Sequence, residues 1–281
     1  MSTRDFEKKG NPFFTKTALP TYELTVLGYV ESVFRTKNGT PRQSSVVPNS
    51  KARVHILLHG NKGHILEGLE EFSHVWLIFL FNCNKQKNVN YKIRPPRLKE
   101  TLGVFSTRSP HRPNPLGLSL AKLDKLDHNN GTLHLSRIDL VHGTPILDIK
   151  PYIEDFDRAE GSLVPQWLTS SLQQSKFQVL ISEKARRQVQ YKIKARQLDF
   201  YKSEEEVLLV ITQILENDPR SRYRRKQHEN QKNLDYQFPL DNCVVCCKYD
   251  PYDAKVHVYA VENWFPGWNH TLTKFENESF E

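Results

Sequence analysis

A nearly continuous apolar run at residues 73–81 most constrains the fold of this chain. The run is far shorter than the ~20 apolar residues that a membrane-spanning helix needs, and it predicts a β-strand buried on both faces. Other short strand-like segments are separated by glycine and proline turns, and residues 66–72 resemble a short helical turn. This pattern favours a mainly-β barrel or sandwich. The other predicted strands are residues 22–34, 53–59, 103–107, 117–123, 132–140 and 146–150.

The predicted strand at residues 132–140 departs from simple alternation. Leu133 and Leu135 occupy odd-numbered positions, whereas Ile138 and Leu140 occupy even-numbered ones, so a regular strand would point the two pairs to opposite faces. A β-bulge near Ser136 would bring all four side chains to one face, and bulges often re-aim side chains beside active sites. The alternative is that one of these apolar side chains is exposed.

The composition changes after residue 151, which predicts a second, smaller α+β unit. We expect a polar tail at residues 1–20, a barrel domain at 21–157 and an α+β domain at 176–265, with a loose connection at 154–175. Ser203 and Glu206 have the spacing of a helix capping box, and the sequence Asn-Asp-Pro at 217–219 ends that helix. Residues 243–249 and 255–261 predict a hairpin, preceded by a strand at 177–181.

The charge balance predicts an anionic partner. The 281-residue chain carries 40 Lys and Arg against 32 Asp and Glu, a net charge of +8, which suits nucleic acid or an anionic membrane. We expect no signal peptide, because the first residues lack an apolar core. Only four cysteines are present, three of them at 243–247, so we expect a reducing compartment, the cytoplasm with the nucleus not excluded.

Residues 103–119 are the densest candidate for a ligand-binding loop. Three prolines and one glycine within residues 110–117 stiffen it, and Arg108, His111, Arg112 and Asn114 offer hydrogen-bond donors. Rigidity beside polar groups is what preorganised binding requires. On composition alone, a proline-stiffened barrel corner is an equal alternative. Residues 40–45 form a similar but weaker candidate.

Several other sites are excluded. The chain has no glycine-rich dinucleotide fingerprint and no P-loop, which argues against a Rossmann or nucleotide-phosphate site. The single Cys-x-x-Cys at 243–246 lies in a predicted strand and indicates buried cysteines rather than zinc ligands. His55, His59 and His64 lack a metal-binding pattern, so we predict no metal site.

Longer motifs then show a family resemblance. In chain order they are Gly28-Tyr-Val, Thr40-Pro-Arg-Gln, Leu69-Glu-Glu-Phe-Ser-His-Val-Trp, Arg94-Pro-Pro-Arg-Leu, Gly103-Val-Phe-Ser-Thr-Arg-Ser-Pro-His-Arg-Pro-Asn-Pro-Leu-Gly-Leu, Asp139-Leu-Val-His-Gly-Thr-Pro and Asp148-Ile-Lys-Pro-Tyr. Residues 22–157 with these motifs resemble the TrmO (TsaA-like, YaeB-like) family of S-adenosylmethionine-dependent tRNA methyltransferases. Residues 218–220 and 259–264 resemble the small C-terminal domain of that family.

The resemblance implies a small β-barrel methyltransferase that works as a homodimer. It implies S-adenosylmethionine as cofactor and, as substrate, the threonylcarbamoyl-modified adenosine beside the anticodon of tRNA, methylated on its exocyclic N6. Ser44 and Asn82 depart from the proline and histidine that many relatives carry there. The implied cofactor contacts are Pro41, Arg42, Gln43, Ser44, Ser45, Val46, Asn82, Cys83, Arg108, Leu118, Ser136, Arg137, Ile138, Asp139 and Leu140.

The catalytic hypotheses concern Asp139, Arg108 and Asp218. Arg108 would bind a carboxylate of the cofactor or the substrate, because a sulfonium disfavours cations. Asp139 would accept the proton of the methylated nitrogen or hold the adenine. Asp218 is an acid at a predicted helix end, before a basic cluster. The predicted tRNA contacts are Arg112, Lys92, Arg94, Arg97, Arg220, Tyr223 and Arg224, with Tyr91 or Tyr223 stacking a base. The alternatives are a non-catalytic binder of modified tRNA and a methyltransferase for a small metabolite.

Overall fold

The computed structural model describes residues 21–84, 90–95, 98, 100–172, 176–230, 235–250 and 252–268. The predicted polar tail and Arg97 lie outside these residues. In the described part of the chain, no helix is long and apolar enough to cross a membrane.

The N-terminal half forms a closed barrel of antiparallel strands, which confirms the mainly-β prediction. Its strands are joined in the order β1-β2-β7-β6-β3-β8. A short ribbon of β4 and β5, a helix α1 and three 3-10 turns connect them. The bounds are β1 Gly28–Ser32, β2 Lys51–Ile56, β3 His74–Leu80, β4 Lys92–Ile93, β5 Leu102–Gly103, β6 Leu116–Asp127, β7 Thr132–Ser136, β8 Pro145–Pro151, α1 Lys62–Leu66, and the turns Ser44–Val46, Leu69–Glu71 and Val104–Ser106.

Strand β3 is buried on one face only, so the prediction of burial on both faces is wrong. Val75, Leu77 and Phe79 point into the barrel and are at most 5% exposed. The alternate side chains, including Trp76 and Ile78, are partly exposed on the outer wall. A closed antiparallel barrel has a single enclosed interior, and the outer face of a strand is covered only where another element packs on it.

Residues 103–107 also differ from their prediction. They form the end of β5 followed by a 3-10 turn, instead of a strand. Val104 is buried and anchors the turn, and the Thr107 hydroxyl donates a hydrogen bond to the Val104 carbonyl at 2.8 Å. This local side-chain bond offers the backbone an alternative to strand pairing.

The backbone at Arg137 accounts for the break in alternation after β7. The strand ends at Ser136, and Arg137 adopts a left-handed conformation with φ of 58°. This single residue rotates the following chain, so that Leu133, Leu135, Ile138 and Leu140 are all buried, at 0%, 1%, 0% and 2% exposure. The alternative of an exposed leucine or isoleucine is therefore excluded.

The C-terminal half is a mixed α+β unit with a sheet in the order β10-β11-β12-β9. The predicted hairpin is present as β11 and β12, and β9 adds parallel to β12. The capping box of Ser203 and Glu206 starts helix α5 as predicted. Cys243, Cys246 and Cys247 are buried, also as predicted. The bounds are α2 Glu154–Asp157, α3 Gln166–Leu172, β9 Gln178–Ile181, α4 Glu183–Lys194, α5 Glu204–Glu216, α6 Arg222–Asn230, β10 Asp235–Leu240, β11 Cys243–Tyr249 and β12 Lys255–Asn263.

The two halves share one continuous apolar core. Polar contacts reinforce the seam between them. The Arg35 guanidinium donates to the Asp241 carbonyl at 3.1 Å and to Asn242 Oδ1 at 2.9 Å. The Arg53 guanidinium lies over the Phe200 ring, 4.5 Å from its centroid. The barrel therefore rests against the C-terminal unit through both apolar and charged contacts.

Candidate functional site

One mouth of the barrel gathers four of the five places in the chain that were predicted to bind the cofactor. Strands β1, β3 and β7 run in the same direction, because each is antiparallel to its barrel neighbours. Their carboxyl ends therefore open at the same mouth. The segments after them are 41–46, 82–83 and 136–140, and the loop before β6 brings Arg108 to the same place.

Two hydrogen-bonded pairs lie in the segments that meet at this mouth. Arg108 donates from Nη1 to Gln43 Oε1 at 3.2 Å. The Ser119 hydroxyl donates to Asp139 Oδ1 at 2.5 Å. The positive charge of Arg108 acts on the Asp139 carboxylate, which links the two pairs electrostatically. Gln43, Arg108, Ser119 and Asp139, here called the mouth cluster, come from four different segments of the chain.

Burial dominates the acid–base behaviour of Asp139. Desolvation raises the pKa of this carboxyl above its ordinary value. The Ser119 hydrogen bond and the Arg108 charge oppose the rise, because both stabilise the ionised form. A carboxylate with a raised pKa that stays hydrogen-bonded is a stronger base than an exposed aspartate, and this suits proton transfer.

The loop before β6 is held rigidly against the end of β3. Asn84 Nδ2 donates to the Pro110 carbonyl at 2.7 Å, and the Phe81 amide donates to the Pro115 carbonyl at 2.8 Å. Gly117 permits the close approach of β6 to β3, because a Cβ there would lie 2.1 Å from the Phe79 ring. Residues 103–119 thus form a stiff loop on which Arg108 is exposed, a feature that the ligand-binding loop and the barrel corner have in common.

The segment after β7 is tied to the loop after β1 through Ser50. The Ile138 amide donates to Ser50 Oγ at 2.7 Å, and the Arg137 amide donates to the Ser50 carbonyl at 3.0 Å. The buried Nε of Arg137 has no hydrogen-bond partner within the described protein. A left-handed arginine with an orphaned buried nitrogen is strained, and such strain clusters at functional sites.

The remaining predicted cofactor residues differ in what they offer a ligand. Ser44, Ser45 and Val46 form the 3-10 turn, and Asn82 and Cys83 are exposed at the end of β3. Leu118 is 52% exposed on the outer wall. The side chains of Pro41, Ile138 and Leu140 are buried, so these residues offer a ligand their backbone only. Arg42 is exposed and Ser136 donates its hydroxyl to Asp124 at 3.0 Å.

These residues fit S-adenosylmethionine by the chemistry of their donors and acceptors. The Arg108 guanidinium suits the amino-acid carboxylate, and the oxygens of Gln43 and Asp139 suit the ammonium group. Among the residues that the structure describes, no cluster of His, Cys, Asp and Glu can hold a metal ion.

Two predicted residues of the C-terminal unit are paired with each other. Arg220 donates to both oxygens of Asp218, at 2.7 and 3.2 Å, and its guanidinium lies 3.5 Å from the Tyr249 ring centroid. Arg220 is only 7% exposed, and Arg225 adds a second cation 3.7 Å from Asp218. This buried arrangement favours a structural role for both residues over the predicted catalytic and tRNA contacts.

The other predicted tRNA residues are accessible. Lys92 and Arg94 are exposed on and after β4, and Tyr223 is 72% exposed on α6, where Arg224 is partly buried. Arg112 donates to the Thr107 carbonyl at 3.3 Å.

Sequence reasoning missed two features near this mouth. Ser119 is buried beside Asp139. Only the alternation of β6, which turns Ser119 toward the barrel interior, could have indicated this residue. Phe105 is 77% exposed, and the Arg112 guanidinium lies 5.9 Å from its ring centroid. An exposed aromatic ring on a rigid turn offers a stacking surface for a base.

Comparison with known proteins identifies relatives of the barrel and of most of the chain. Residues 29–158 match the family model of the tRNA-methyltransferase O N-terminal domain. The tRNA (adenine(37)-N6)-methyltransferase of Homo sapiens is 50% identical over 155 residues, which cover 53% of this chain and 35% of that protein. The chain thus spans about a third of the length of the mammalian relatives that it matches.

Bacterial relatives align over almost their entire length. The Escherichia coli K12 tRNA (adenine(37)-N6)-methyltransferase is 31% identical over 251 residues, covering 87% of this chain and 99% of that protein. The crystal structure of TrmO from Pseudomonas aeruginosa superposes with a TM-score of 0.66 at 32% identity, covering 87% of this chain and all of that one. The match covers both the barrel and the C-terminal unit, and this chain belongs to the TrmO family.

Proposed function

We propose that this protein transfers a methyl group from S-adenosylmethionine to the exocyclic N6 of threonylcarbamoyl-adenosine next to the anticodon of tRNA. The mouth cluster carries the proposal. It places an exposed guanidinium and a partly buried, hydrogen-bonded carboxylate at one end of a barrel, in a family whose relatives are named tRNA (adenine(37)-N6)-methyltransferase.

The bound cofactor supplies an electrophilic methyl group, and the protein supplies position and charge. Arg108 binds a carboxylate, either that of the cofactor or that of the threonyl group. A fixed bidentate contact of this kind orients the two reactants, and well-oriented pairs reach effective molarities on the order of 10⁵ M or more. Gln43 holds Arg108 in place from the loop after β1.

Asp139 takes up the proton that leaves the acceptor nitrogen. The lone pair of that nitrogen is delocalised, so removal of the proton in step with methyl transfer lowers the barrier. The raised pKa of Asp139 makes its carboxylate a better proton acceptor than an exposed aspartate. Ser119 keeps the carboxylate oriented and ionised through the 2.5 Å hydrogen bond.

The tRNA backbone lies along the exposed basic side chains. Lys92 and Arg94 are exposed, Arg112 and Arg224 are partly exposed, and Tyr223 is 72% exposed on α6. Phosphate contacts from such side chains position the anticodon loop, and an exposed ring stacks the unpaired base. The net charge of +8 supports this partner.

A homodimer is part of the proposal. The outer wall formed by β3 and β6 presents partly or largely exposed apolar side chains, including Trp76, Ile78 and Leu120, with Leu116 at 38% and Leu118 at 52% exposure. A contiguous apolar patch of this kind marks a protein interface. Light scattering after size exclusion measures the oligomeric state, and a monomer at micromolar concentration would contradict the proposed dimer.

A cytoplasmic location is also part of the proposal. The four free thiols are consistent with a reducing compartment.

Methyl transfer to purified tRNA tests the function. The chain is incubated with S-adenosylmethionine and with tRNA that carries the threonylcarbamoyl group but no methyl group, and nucleosides are read by mass spectrometry. We expect the methylated nucleoside with wild type and its loss with Asp139→Asn. Binding of this tRNA without transfer would show a non-catalytic binder, and transfer to a small metabolite alone would show a different acceptor.

A further inference from the structure

The loop that carries residues 41–46 is anchored to the C-terminal unit on both sides of that segment. This loop runs from the end of β1 at Ser32 to the start of β2 at Lys51. Connections of this length are uncommon in compact domains without a function, and a free one pays a large ordering entropy when it binds a ligand. The contacts that order it therefore influence ligand affinity directly.

The first anchor lies at Gly39, two residues before the cofactor segment. The Gly39 amide donates to the hydroxyl of Tyr236 on β10 at 3.1 Å, and Tyr236 is only 1% exposed. Gly39 has a φ of 80°, and a Cβ on it would lie 2.3 Å from the ring of buried Phe238. The backbone of the loop is thus pressed against the sheet of the C-terminal unit at a position that only glycine fits.

The second anchor lies at Asn49, three residues after the segment. The Gln213 side chain on α5 accepts from the Asn49 amide at 3.2 Å and donates to Asn49 Oδ1 at 2.7 Å. The buried Tyr201 hydroxyl donates to the Asn49 carbonyl at 3.1 Å. Three polar groups of Asn49 are therefore engaged by residues of the C-terminal unit.

The chain between the anchors reaches the mouth cluster through Gln43, which accepts from Arg108. Adjoining the second anchor, Ser50 bonds the segment after β7, which contains Asp139. The two anchors consequently fix the spacing of three of the four segments that surround the barrel mouth. No residue of the anchors belongs to the site itself.

We infer that the C-terminal unit sets the affinity for the methyl donor, with Tyr236 and Gln213 as positioning residues that hold residues 39–49 in the donor-binding conformation. This inference rests on the proposed function, because it takes S-adenosylmethionine as the ligand of the loop. Loss of an anchor lowers the fraction of molecules whose loop is in the binding-competent conformation. The apparent dissociation constant then rises in the same proportion as that fraction falls.

The test is calorimetry of the full chain with S-adenosylmethionine and with S-adenosylhomocysteine. We expect Tyr236→Phe and Gln213→Ala each to raise the dissociation constant about two- to tenfold, the range that one lost hydrogen bond corresponds to. Asn49→Ala combined with Gln213→Ala should have the same effect as Gln213→Ala alone, because Gln213→Ala already removes both bonds between the two residues. Hydrogen exchange of residues 39–49 should accelerate in the same variants.

Two matched variants control for loss of stability in the C-terminal unit. Tyr259→Phe removes a hydroxyl that donates to Asp235 on the same sheet at 3.0 Å, and Gln190→Ala removes a 2.7 Å bond to Glu204 between α4 and α5. Neither contact involves the loop, so the donor dissociation constant should stay within about twofold of wild type. In methyl-transfer assays the anchor variants should raise KM for the donor, while kcat and KM for tRNA stay unchanged.

The outcomes separate this inference from the proposed function. Absence of donor binding by wild type overturns the proposed function. Normal donor binding by wild type and by both anchor variants overturns the inference alone. Equal weakening in the anchor and control variants also overturns it, because general loss of stability then accounts for the effect.

Discussion

Replacement of Arg108 by alanine is the most direct test of how the barrel mouth binds its donor. The guanidinium is exposed, and its described hydrogen bond is to Gln43 at 3.2 Å. A charge-assisted hydrogen bond to a carboxylate contributes about 1.5–3 kcal/mol, and a factor of ten corresponds to about 1.4 kcal/mol. Arg108→Ala should therefore weaken donor binding about 10- to 150-fold.

Stability should be almost unchanged in this variant. Substitutions of exposed residues usually stay within about 0.5 kcal/mol, which for a chain of this size is a shift of about 1–2 °C in Tm. Calorimetry with S-adenosylmethionine gives the dissociation constant, and scanning calorimetry gives the Tm. Arg108→Lys should recover part of the affinity, because the charge remains but the bidentate geometry is lost.

Arg112→Ala is the matched control in the same loop. Its guanidinium is turned to the Thr107 carbonyl and the Phe105 ring, so its loss should raise KM for tRNA and leave donor affinity unchanged. An unaltered dissociation constant in Arg108→Ala would refute the assignment of Arg108 to a donor carboxylate. A rise in KM for tRNA alone, with donor affinity unchanged, would assign Arg108 to the substrate carboxylate instead.

Further predictions concern the acid, the anchor glycine and tRNA affinity. Asp139→Asn should lower kcat about 10²- to 10⁴-fold in transfer assays. It should not lower Tm, because burial raises the folded-state pKa of Asp139. At pH values above the unfolded-state pKa, the ionised carboxylate therefore costs folding free energy that an asparagine side chain does not. Ser119→Ala removes a bond that lowers that pKa, so the acid limb of the pH–rate profile should move to higher pH, and an unmoved limb would argue against Asp139 as the base. Gly39→Ala should lower the unfolding free energy by about 2–5 kcal/mol in denaturant titrations, because it combines a left-handed backbone with a clash at Phe238. Affinity for tRNA, read by filter binding, should fall at least about tenfold between 50 and 200 mM salt, and a flat salt response would contradict binding through phosphates.

Local patterns predicted those parts of the fold that depend on neighbouring residues. The capping box at Ser203 and the apolar spacing after it determine α5, because both act within one or two turns of helix. Alternation and turn residues likewise located most barrel strands, and the buried cysteines followed from their place in a strand. Burial on both faces of β3 was predicted wrongly, because an apolar run does not tell which of its faces another element covers.

The order of motifs along the chain determined the family, and the short strands separated by glycine and proline turns determined the mainly-β class. Only the tertiary structure decided which side chains meet. Ser119 and Asp139 are 20 residues apart, Gln43 and Arg108 are 65 apart, and Gly39 and Tyr236 are 197 apart. Such contacts depend on barrel closure, on the left-handed turn at Arg137 and on packing of the C-terminal unit, and no local pattern carries the information for them.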